Sequence, residues 1–196
     1  MRPLLSLLAL NLYLFATPAQ APDQIPVFEI MTTDSEVRFN VKASVQIEGK
    51  FDNWDAALSF VSRDVSTGVL DIKIQANTVN TGSGMKDNKL KSKGFFNVKN
   101  DPYITFNSTK VIQTGPDSFD LPGSFAIRGV SKPETVTFTT ADKGKGTGEL
   151  KGTMAFDRKE YGMNSGIPFI KIADRVEVTI NLKGRRVSGP PPIFKE

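Results

Sequence analysis

The sequence predicts an all-β protein whose core is an antiparallel sheet. Short segments of the chain alternate apolar and polar residues with a period of two, and Gly, Asn, Asp and Pro separate these segments. No long segment shows the 3.6-residue period of a helix. The clearest strand is 175–183, where Val176 and every second residue up to Leu182 are apolar and the residues between them are polar. Such a strand buries one face and exposes the other to water.

The same alternation predicts about eight or nine strands. In chain order they are 27–31, 37–42, 58–62, 70–76, 104–111, 119–128, 135–140, 150–158 and 175–183. The strand at 119–128 contains Pro122 and Gly123. These two residues indicate either one strand that bends sharply to close a sheet or two short strands joined by a turn.

One segment departs from the strand pattern and predicts a short helix. Residues 85–92 lack β-branched side chains, follow the glycines at 82 and 84, and precede Gly94. A helix of about two turns is marginal by itself, so it must be held by packing. We expect Met85, Leu90, Phe95 and Phe96 to supply that packing, with the helix covering one end of the sheet.

The two ends of the chain lie outside the predicted domain, 22–188. Residues 1–21 are typical of a secretory signal peptide, with Arg2, a Leu-rich stretch and cleavage after Ala21 or Ala19. A membrane anchor is the alternative, but the apolar run is about a dozen residues where a spanning helix needs about 20. The tail 189–196 is rich in Pro and poor in backbone donors. We expect it to hang off the domain without a function.

Composition excludes several kinds of chemistry. The 196 residues contain no His and no Cys, which excludes a thiol nucleophile, a disulfide, a histidine base, a histidine or thiolate metal site and a lipoprotein anchor. We therefore expect no metal, no cofactor and no enzyme activity. The 25 Lys and Arg residues are dispersed among 21 Asp and Glu residues, so nucleic acid is a poor candidate partner. A weak, transient contact with a membrane surface and a homodimer are both left open.

One cluster of residues favours an enzyme. Asp52 and Asp55 flank Trp54, and a glycosidase needs two carboxylates that face one cleft. The competing interpretation is a turn in which Asp and Asn bind their own backbone and Trp54 covers the end of a barrel. The glycine clusters at 82–84 and 144–148 lack the strand and helix context of a nucleotide site and are interpreted as loops.

Several motifs along the chain resemble those of the YceI-like family. The matching blocks are Asn80-Thr81-Gly82 with 86–92, Gly94-Phe95-Phe96-Asn97-Val98, Asp101-Pro102-Tyr103-Ile104 with 105–108, 123–132, and Phe156-Asp157-Arg158 with 159–163, preceded by 37–51. The blocks occur in the same order as in the family, and together they span nearly all of the mature chain. The resemblance implies an eight-stranded antiparallel, lipocalin-like β-barrel with one short capping helix, in the bacterial periplasm. It also implies binding of a long polyisoprenoid, such as a quinone or a prenyl phosphate, without catalysis. The family often has His where this chain has Lys89 and Ala43.

The resemblance and the alternation together predict a ligand site inside the barrel. We expect an apolar tunnel formed by Phe39, Trp54, Phe60, Ile72, Ile74, Phe95, Phe106, Phe125, Phe138 and Phe156. We expect Lys86, Asp87, Lys89 and Arg158 to form its polar mouth, although solvated charges are the competing interpretation. Eight strands enclose space for packed side chains or for one small ligand, and the sequence does not choose between them. The predicted function is a carrier or store for an isoprenoid-type lipid; the alternative is a filled barrel that binds a protein partner.

Overall fold

The computed structural model describes residues 24–44, 47–141, 146–166 and 170–195. The predicted signal peptide lies outside these residues. Within the part of the chain that is described, no helix combines the length and the apolar character needed to cross a membrane.

The described residues form twelve strands and one α-helix. The strands are β1 (Val27–Ile30), β2 (Glu36–Ala43), β3 (Ile47–Phe51), β4 (Trp54–Ser59), β5 (Val69–Gln75), β6 (Val79–Asn80), β7 (Tyr103–Ser108), β8 (Ile112–Gln113), β9 (Ser118–Ile127), β10 (Val130–Ala141), β11 (Thr147–Asp157) and β12 (Ile172–Ser188). The helix α1 (Gly84–Lys91) lies between β6 and β7.

The strands form a closed antiparallel barrel. The sheet runs in the order β4-β5-β7-β9-β10-β11-β12-β2-β3-β6. Only Asp52 and Asn53 separate β3 from β4, so these two segments are halves of one bent strand, and this strand closes the order into a ring. β6 follows β5 in the same way and pairs with β3. Counted as continuous strands there are eight in this ring, which confirms the predicted fold class. Two of the eight are divided by bends, and the short strands β1 and β8 pair with β12 and β9 outside the main order.

Alternation along the strands forms the core, as β12 illustrates. Val176 and Ile180 are buried, and they lie opposite Phe156 and Gly152 of β11 and opposite Val41 and Val37 of β2. The strand is longer than predicted because its end, up to Ser188, pairs with β1. Core side chains from all around the barrel thereby meet in its interior.

β9 is one continuous strand, so the first of the two interpretations of Pro122-Gly123 is correct. It pairs with β10 over its whole length and with β7 through Gly123. A Cβ atom on Gly123 would lie 2.4 Å from the carbonyl oxygen of Asn107. The glycine is therefore required for the close approach of the two strands.

The helix α1 confirms the prediction with one correction. Leu90 in the helix, and Phe95 and Phe96 shortly after it, are buried. Met85 was expected to pack there, but its side chain is 86% exposed. It lies in the first turn, one residue after the helix begins, on the side of α1 that faces away from the barrel.

The C-terminal tail is the largest departure from the sequence-based expectation. Instead of hanging off the domain, Ile193 forms a parallel bridge with Asp64, and its N–H donates to the carbonyl oxygen of Arg63 at 2.6 Å. The side-chain amide of Gln113 and the backbone of Lys195 exchange two further hydrogen bonds, 2.9 and 2.7 Å long. The expectation failed because prolines at 190–192 leave the N–H groups after them free to pair.

Candidate functional site

The interior of the barrel contains two apolar pockets at opposite ends. The helix-end pocket lies beneath α1, has a volume of about 80 Å³, and is lined by apolar side chains except for Arg38 and Arg158. The tail-end pocket lies beside the C-terminal tail and has a volume of about 130 Å³. Among the described residues that line it, only Thr140, Thr147 and Arg186 have polar side chains.

A layer of packed side chains separates the two pockets. On β5, Leu70 lines the tail-end pocket and Ile74 lines the helix-end pocket, while Ile72 between them lines neither. β11 shows the same order, from Leu150 at the tail end to Phe156 at the helix end. We call the buried side chains between the pockets the waist: Ile72, Phe106, Val136, Met154, Ile180 and Leu182.

All ten residues of the predicted tunnel are buried, but they do not form one tunnel. Phe39, Ile74, Phe95, Phe125 and Phe156 line the helix-end pocket, Phe60 and Phe138 line the tail-end pocket, and Trp54, Ile72 and Phe106 line neither. In this conformation the residues predicted for one tunnel are therefore divided between two pockets and the packed layer that separates them. Alternation identifies the inward face of a strand, whereas the volume left between inward side chains depends on packing across the barrel.

Six phenylalanines contribute to the wall of the helix-end pocket. Phe39 packs against Phe51 and Phe96, with ring centroids 5.7 and 6.4 Å away. Phe125 and Phe156 pack on each other at 5.0 Å. Phe51, Phe96 and Leu90 were not among the predicted ligand residues, although Phe96 and Leu90 had been expected to hold the helix. The pocket is thus an apolar space partly bounded by rings that contact one another.

Tyr161 packs against two rings of this wall, Phe125 and Phe156, and is fully buried. Its hydroxyl donates a 3.0 Å hydrogen bond to the carboxylate of Glu134. Burial, together with this hydrogen bond, raises the pKa of Tyr161 far above its ordinary value. The phenol therefore stays protonated at physiological pH and serves as a structural donor, not as a base.

Arg158 lies in the helix-end pocket, but its donors are occupied by the protein. The guanidinium donates to the backbone carbonyl oxygens of Met163, Ala173 (3.1 Å) and Ser165 (3.1 Å), and to Oδ1 of Asp174 (3.1 Å). The side chain is almost fully buried. Its predicted place in the polar mouth is corrected accordingly: Arg158 fastens the chain after β11 to the start of β12.

Asp174 receives a second cation on its exposed side. Lys159 lies 2.8 Å from Oδ2. The hydrogen bond from Lys159, followed by the charges of Lys159 and Arg158, lowers the pKa of the Asp174 carboxyl. The carboxylate is therefore charged over the whole physiological range and keeps Arg158 in place.

Asp87, also predicted for the mouth, has a local structural role. Its Oδ1 accepts hydrogen bonds from the backbone N–H and the hydroxyl of Thr81, 2.8 and 2.7 Å long. These bonds join the first turn of α1 to the end of β6. The carboxylate is committed to the loop that positions the helix.

Lys86 and Lys89 are the two predicted mouth residues that remain available. Neither forms an ion pair with any residue in the described part of the chain. The Nζ atom of Lys89 lies 5.9 Å from the ring centroid of Phe95, which lines the helix-end pocket. A cation without an ion-pair partner among the described residues therefore lies at the edge of an apolar pocket.

The carboxylates considered for an enzyme do not face a common cleft. Trp54 is buried in the barrel wall, whereas Asp52 and Asp55 on either side of it are exposed. Asp52 accepts a hydrogen bond from Asn80 (2.8 Å) and pairs with Lys50 (3.2 Å). Chiefly because of the bond from Asn80, the pKa of Asp52 is lowered, the opposite of what a catalytic acid needs. No group of metal-ligating side chains occurs among the described residues.

Known proteins resemble this chain in sequence and in fold. A UPF0312 protein of Pseudomonas aeruginosa is 27% identical over 143 residues, covering 70% of this chain and 73% of that protein. One of Pectobacterium carotovorum is 31% identical over 134 residues, covering 67% and 68%.

Two solved structures share the barrel. BcnA of Burkholderia cenocepacia superimposes with a TM-score of 0.72 at 23% identity, covering 79% of this chain and 99% of BcnA. A polyisoprenoid binding domain from Saccharophagus degradans, implicated in plant cell wall breakdown, has a TM-score of 0.66 at 15% identity, covering 82% and 99%. The sequence model of the YceI-like domain matches residues 28–184, which is the whole barrel from β1 into β12. With the motifs, the closed eight-stranded barrel and this match in agreement, the chain belongs to the YceI-like family.

Proposed function

We propose that the protein is an exported, periplasmic binding protein that sequesters or carries an isoprenoid-type amphiphile. The apolar chain of the ligand enters the helix-end pocket, and an anionic head group, such as a prenyl phosphate, lies at Lys89 and Lys86. The observation that carries this proposal is an apolar pocket at whose edge Lys89 contacts the ring of Phe95 and forms no ion pair with any described residue. The binding named for the S. degradans domain supports the class of ligand. The protein holds this ligand and performs no reaction on it.

The volume of the helix-end pocket sets a condition on binding. An apolar cavity of about 150 Å³ takes up one benzene molecule. The helix-end pocket, at about 80 Å³, therefore accepts only the tip of an isoprenoid chain in the conformation observed. A longer chain must displace the waist, where Met154 is unbranched and adapts most readily to a new shape. Long-chain binding consequently requires the two pockets to merge.

The test is to identify what the protein contains when it is isolated from its own cell. We expect native mass spectrometry of the gently purified mature protein to show one bound molecule, and organic extraction to release a long-chain isoprenoid. Titration with farnesyl phosphate should then load the delipidated protein. An unliganded mass combined with no uptake of farnesyl phosphate would remove the proposal.

A matched pair of variants tests where the chain binds. Val178 lines the helix-end pocket, and Thr179 next to it is exposed on the outer face of β12. Val178→Phe should obstruct roughly 60 Å² of apolar contact, which at about 25 cal/mol per Å² is about 1.5 kcal/mol or about tenfold in Kd. Thr179→Phe adds the same ring outside the barrel and should leave the Kd for farnesyl phosphate unchanged. Equal affinities in the two variants would place the ligand elsewhere.

A second pair of variants tests the head group. Lys89→Ala should weaken farnesyl phosphate by about 1 kcal/mol, roughly fivefold in Kd, because a charge-assisted contact at a half-buried site is lost. Farnesol, which has no charge, should bind the variant and the parent protein equally. Lys110→Ala, a change at an exposed lysine near the tail end, is the control and should affect neither ligand. A similar loss for farnesol would show that Lys89 acts through the fold.

The filled waist favours a second candidate function. If the core never opens, the barrel is a packed scaffold that presents its outer surface to a protein partner. The same mass spectrometry distinguishes the two candidates, because a scaffold of this kind carries no stoichiometric lipid and takes none up.

A further inference from the structure

The tail-end pocket is an apolar space that the proposed lipid site does not use. Its volume is about 130 Å³, and five phenylalanines contribute to its wall. Well-packed interiors contain few voids larger than a water molecule. An apolar void of about this size, lined by Leu, Ile and Phe side chains, stays dry and takes up benzene.

The C-terminal tail forms one wall of this pocket and is fastened in place. Pro191, Pro192 and Phe194 line the pocket, and the ring of Phe194 lies 6.0 Å from that of Phe119. The bridge at Ile193 and the bonds at Lys195 hold the segment on both sides of Phe194. All of these tail residues lie beyond the stretch that matches the YceI-like domain, 28–184. The pocket is therefore completed by a segment that the domain itself does not supply.

The wall of the tail-end pocket is almost entirely apolar, which favours an uncharged ligand. Arg186 is the only ionisable side chain among the described residues that line the pocket, and it donates a hydrogen bond to the carbonyl oxygen of Gly189. The remaining polar groups are the side chains of Thr140 and Thr147. An aromatic ring would meet other rings here in favourable edge or offset contacts.

The waist makes this pocket independent of the helix-end pocket. Ile72 and Phe106 lie directly opposite each other on β5 and β7 and line neither pocket. A ring-sized molecule in the tail-end pocket therefore leaves the waist closed, whereas a long isoprenoid must open it.

We propose that the tail-end pocket is a second binding site, which takes an uncharged aromatic molecule of about one ring and is bordered on one side by the C-terminal tail. The proposal goes beyond the lipid-binding function and does not depend on it.

The test uses benzene as the probe and Gly184 as the position to block. Gly184 lines the pocket, and a Cβ atom there would meet only Ile30 Cδ1 at 3.6 Å and Glu29 O at 3.8 Å, which are ordinary contacts. Gly184→Leu should fill the pocket and abolish benzene binding measured by calorimetry and by NMR shifts. Gly115→Leu introduces the same side chain at a turn outside the barrel and should retain binding.

Further variants keep the test decisive. If Gly184→Leu fails to fold, Gly184→Ala takes its place in the test. It adds one methyl group, is readily accommodated in the fold, and should weaken the binding of benzene measurably. Phe194→Ala enlarges the pocket and should favour naphthalene over benzene relative to the parent protein. Benzene binding that survives Gly184→Leu, or that Gly115→Leu removes as well, would overturn the proposal.

Measuring both probes on the same variants distinguishes the two sites. Val178→Phe should weaken farnesyl phosphate and leave benzene unchanged. A parent protein that binds benzene but not farnesyl phosphate would support the second site and remove only the lipid proposal. A parent protein that does not bind benzene would overturn the second site, whatever happens with farnesyl phosphate.

Discussion

We expect Arg158→Leu to lower the free energy of unfolding by roughly 3 to 5 kcal/mol, the range found when one partner of a buried charged network is removed. The guanidinium donates to three backbone carbonyl oxygens and to Asp174, and the side chain is almost fully buried. Leucine fills much of the volume but leaves those carbonyl groups without a donor. Urea denaturation monitored by circular dichroism measures the change.

Two companion variants identify the cause of this loss. Arg158→Lys keeps the positive charge but supplies a single nitrogen, so it should recover only a minor part of the stability. Arg175→Leu removes an exposed arginine that pairs with Glu177 at 3.5 Å, and it should cost at most about 1 kcal/mol. A loss in Arg158→Leu no larger than in Arg175→Leu would show that the buried bonds are replaced by water and that Arg158 is available to a ligand after all.

Arg158 also illustrates what the sequence could not reveal about the site. A charged residue at the end of a strand can face solvent or backbone carbonyl groups. The sequence does not distinguish the two cases, because every residue has a carbonyl group and its position depends on the fold. Lys89 gave the same signal and lies at the pocket edge without an ion-pair partner among the described residues. Sequence analysis therefore placed these charged residues at the same end of the barrel but could not assign their roles.

The fold was far more predictable than the site. A period of two with one buried face is a strong local signal, so β2, β5 and β12 were recognised from alternation alone. The continuity of β3 with β4 was missed, since the predicted strand began at Leu58 and Asp52-Asn53-Trp54-Asp55 was interpreted as a turn. In the structure Trp54 already belongs to β4 and faces the core. The bend between the halves depends on pairing with β5 and β6, which no local pattern reports.

The tail was missed for a related reason. The prolines of the tail predict correctly that it forms no strand of its own. Docking of the tail, however, requires only the backbone N–H groups of Ile193 and Lys195 and acceptors far away in the chain. Arg63, which accepts from Ile193, is more than a hundred residues earlier in the sequence. Contacts of this length contribute to the tail-end pocket and are invisible to motif analysis.

Gly123→Ala should be among the most damaging single changes outside the site, although it adds one methyl group. The new Cβ atom would lie 2.4 Å from Asn107 O and 2.8 Å from Ser108 Cα. Both are backbone atoms of β7, which β5 pairs with on its other side, so β7 cannot retreat without breaking a second ladder. Overpacking in a rigid core costs typically 1 to 3 kcal/mol, and we expect about 3 kcal/mol here.

Gly115→Ala is the matched control for this change. A Cβ atom at Gly115 would lie 3.7 Å from the Cβ of Ser118, an ordinary contact. The substitution should therefore be neutral or stabilise by a few tenths of a kcal/mol, because alanine has fewer unfolded conformations to lose than glycine. Denaturation midpoints of the two variants measured side by side decide the matter. If Gly123→Ala were as stable as Gly115→Ala, the β7 to β9 seam would be able to open, and a barrel that opens there could admit a lipid chain through its wall.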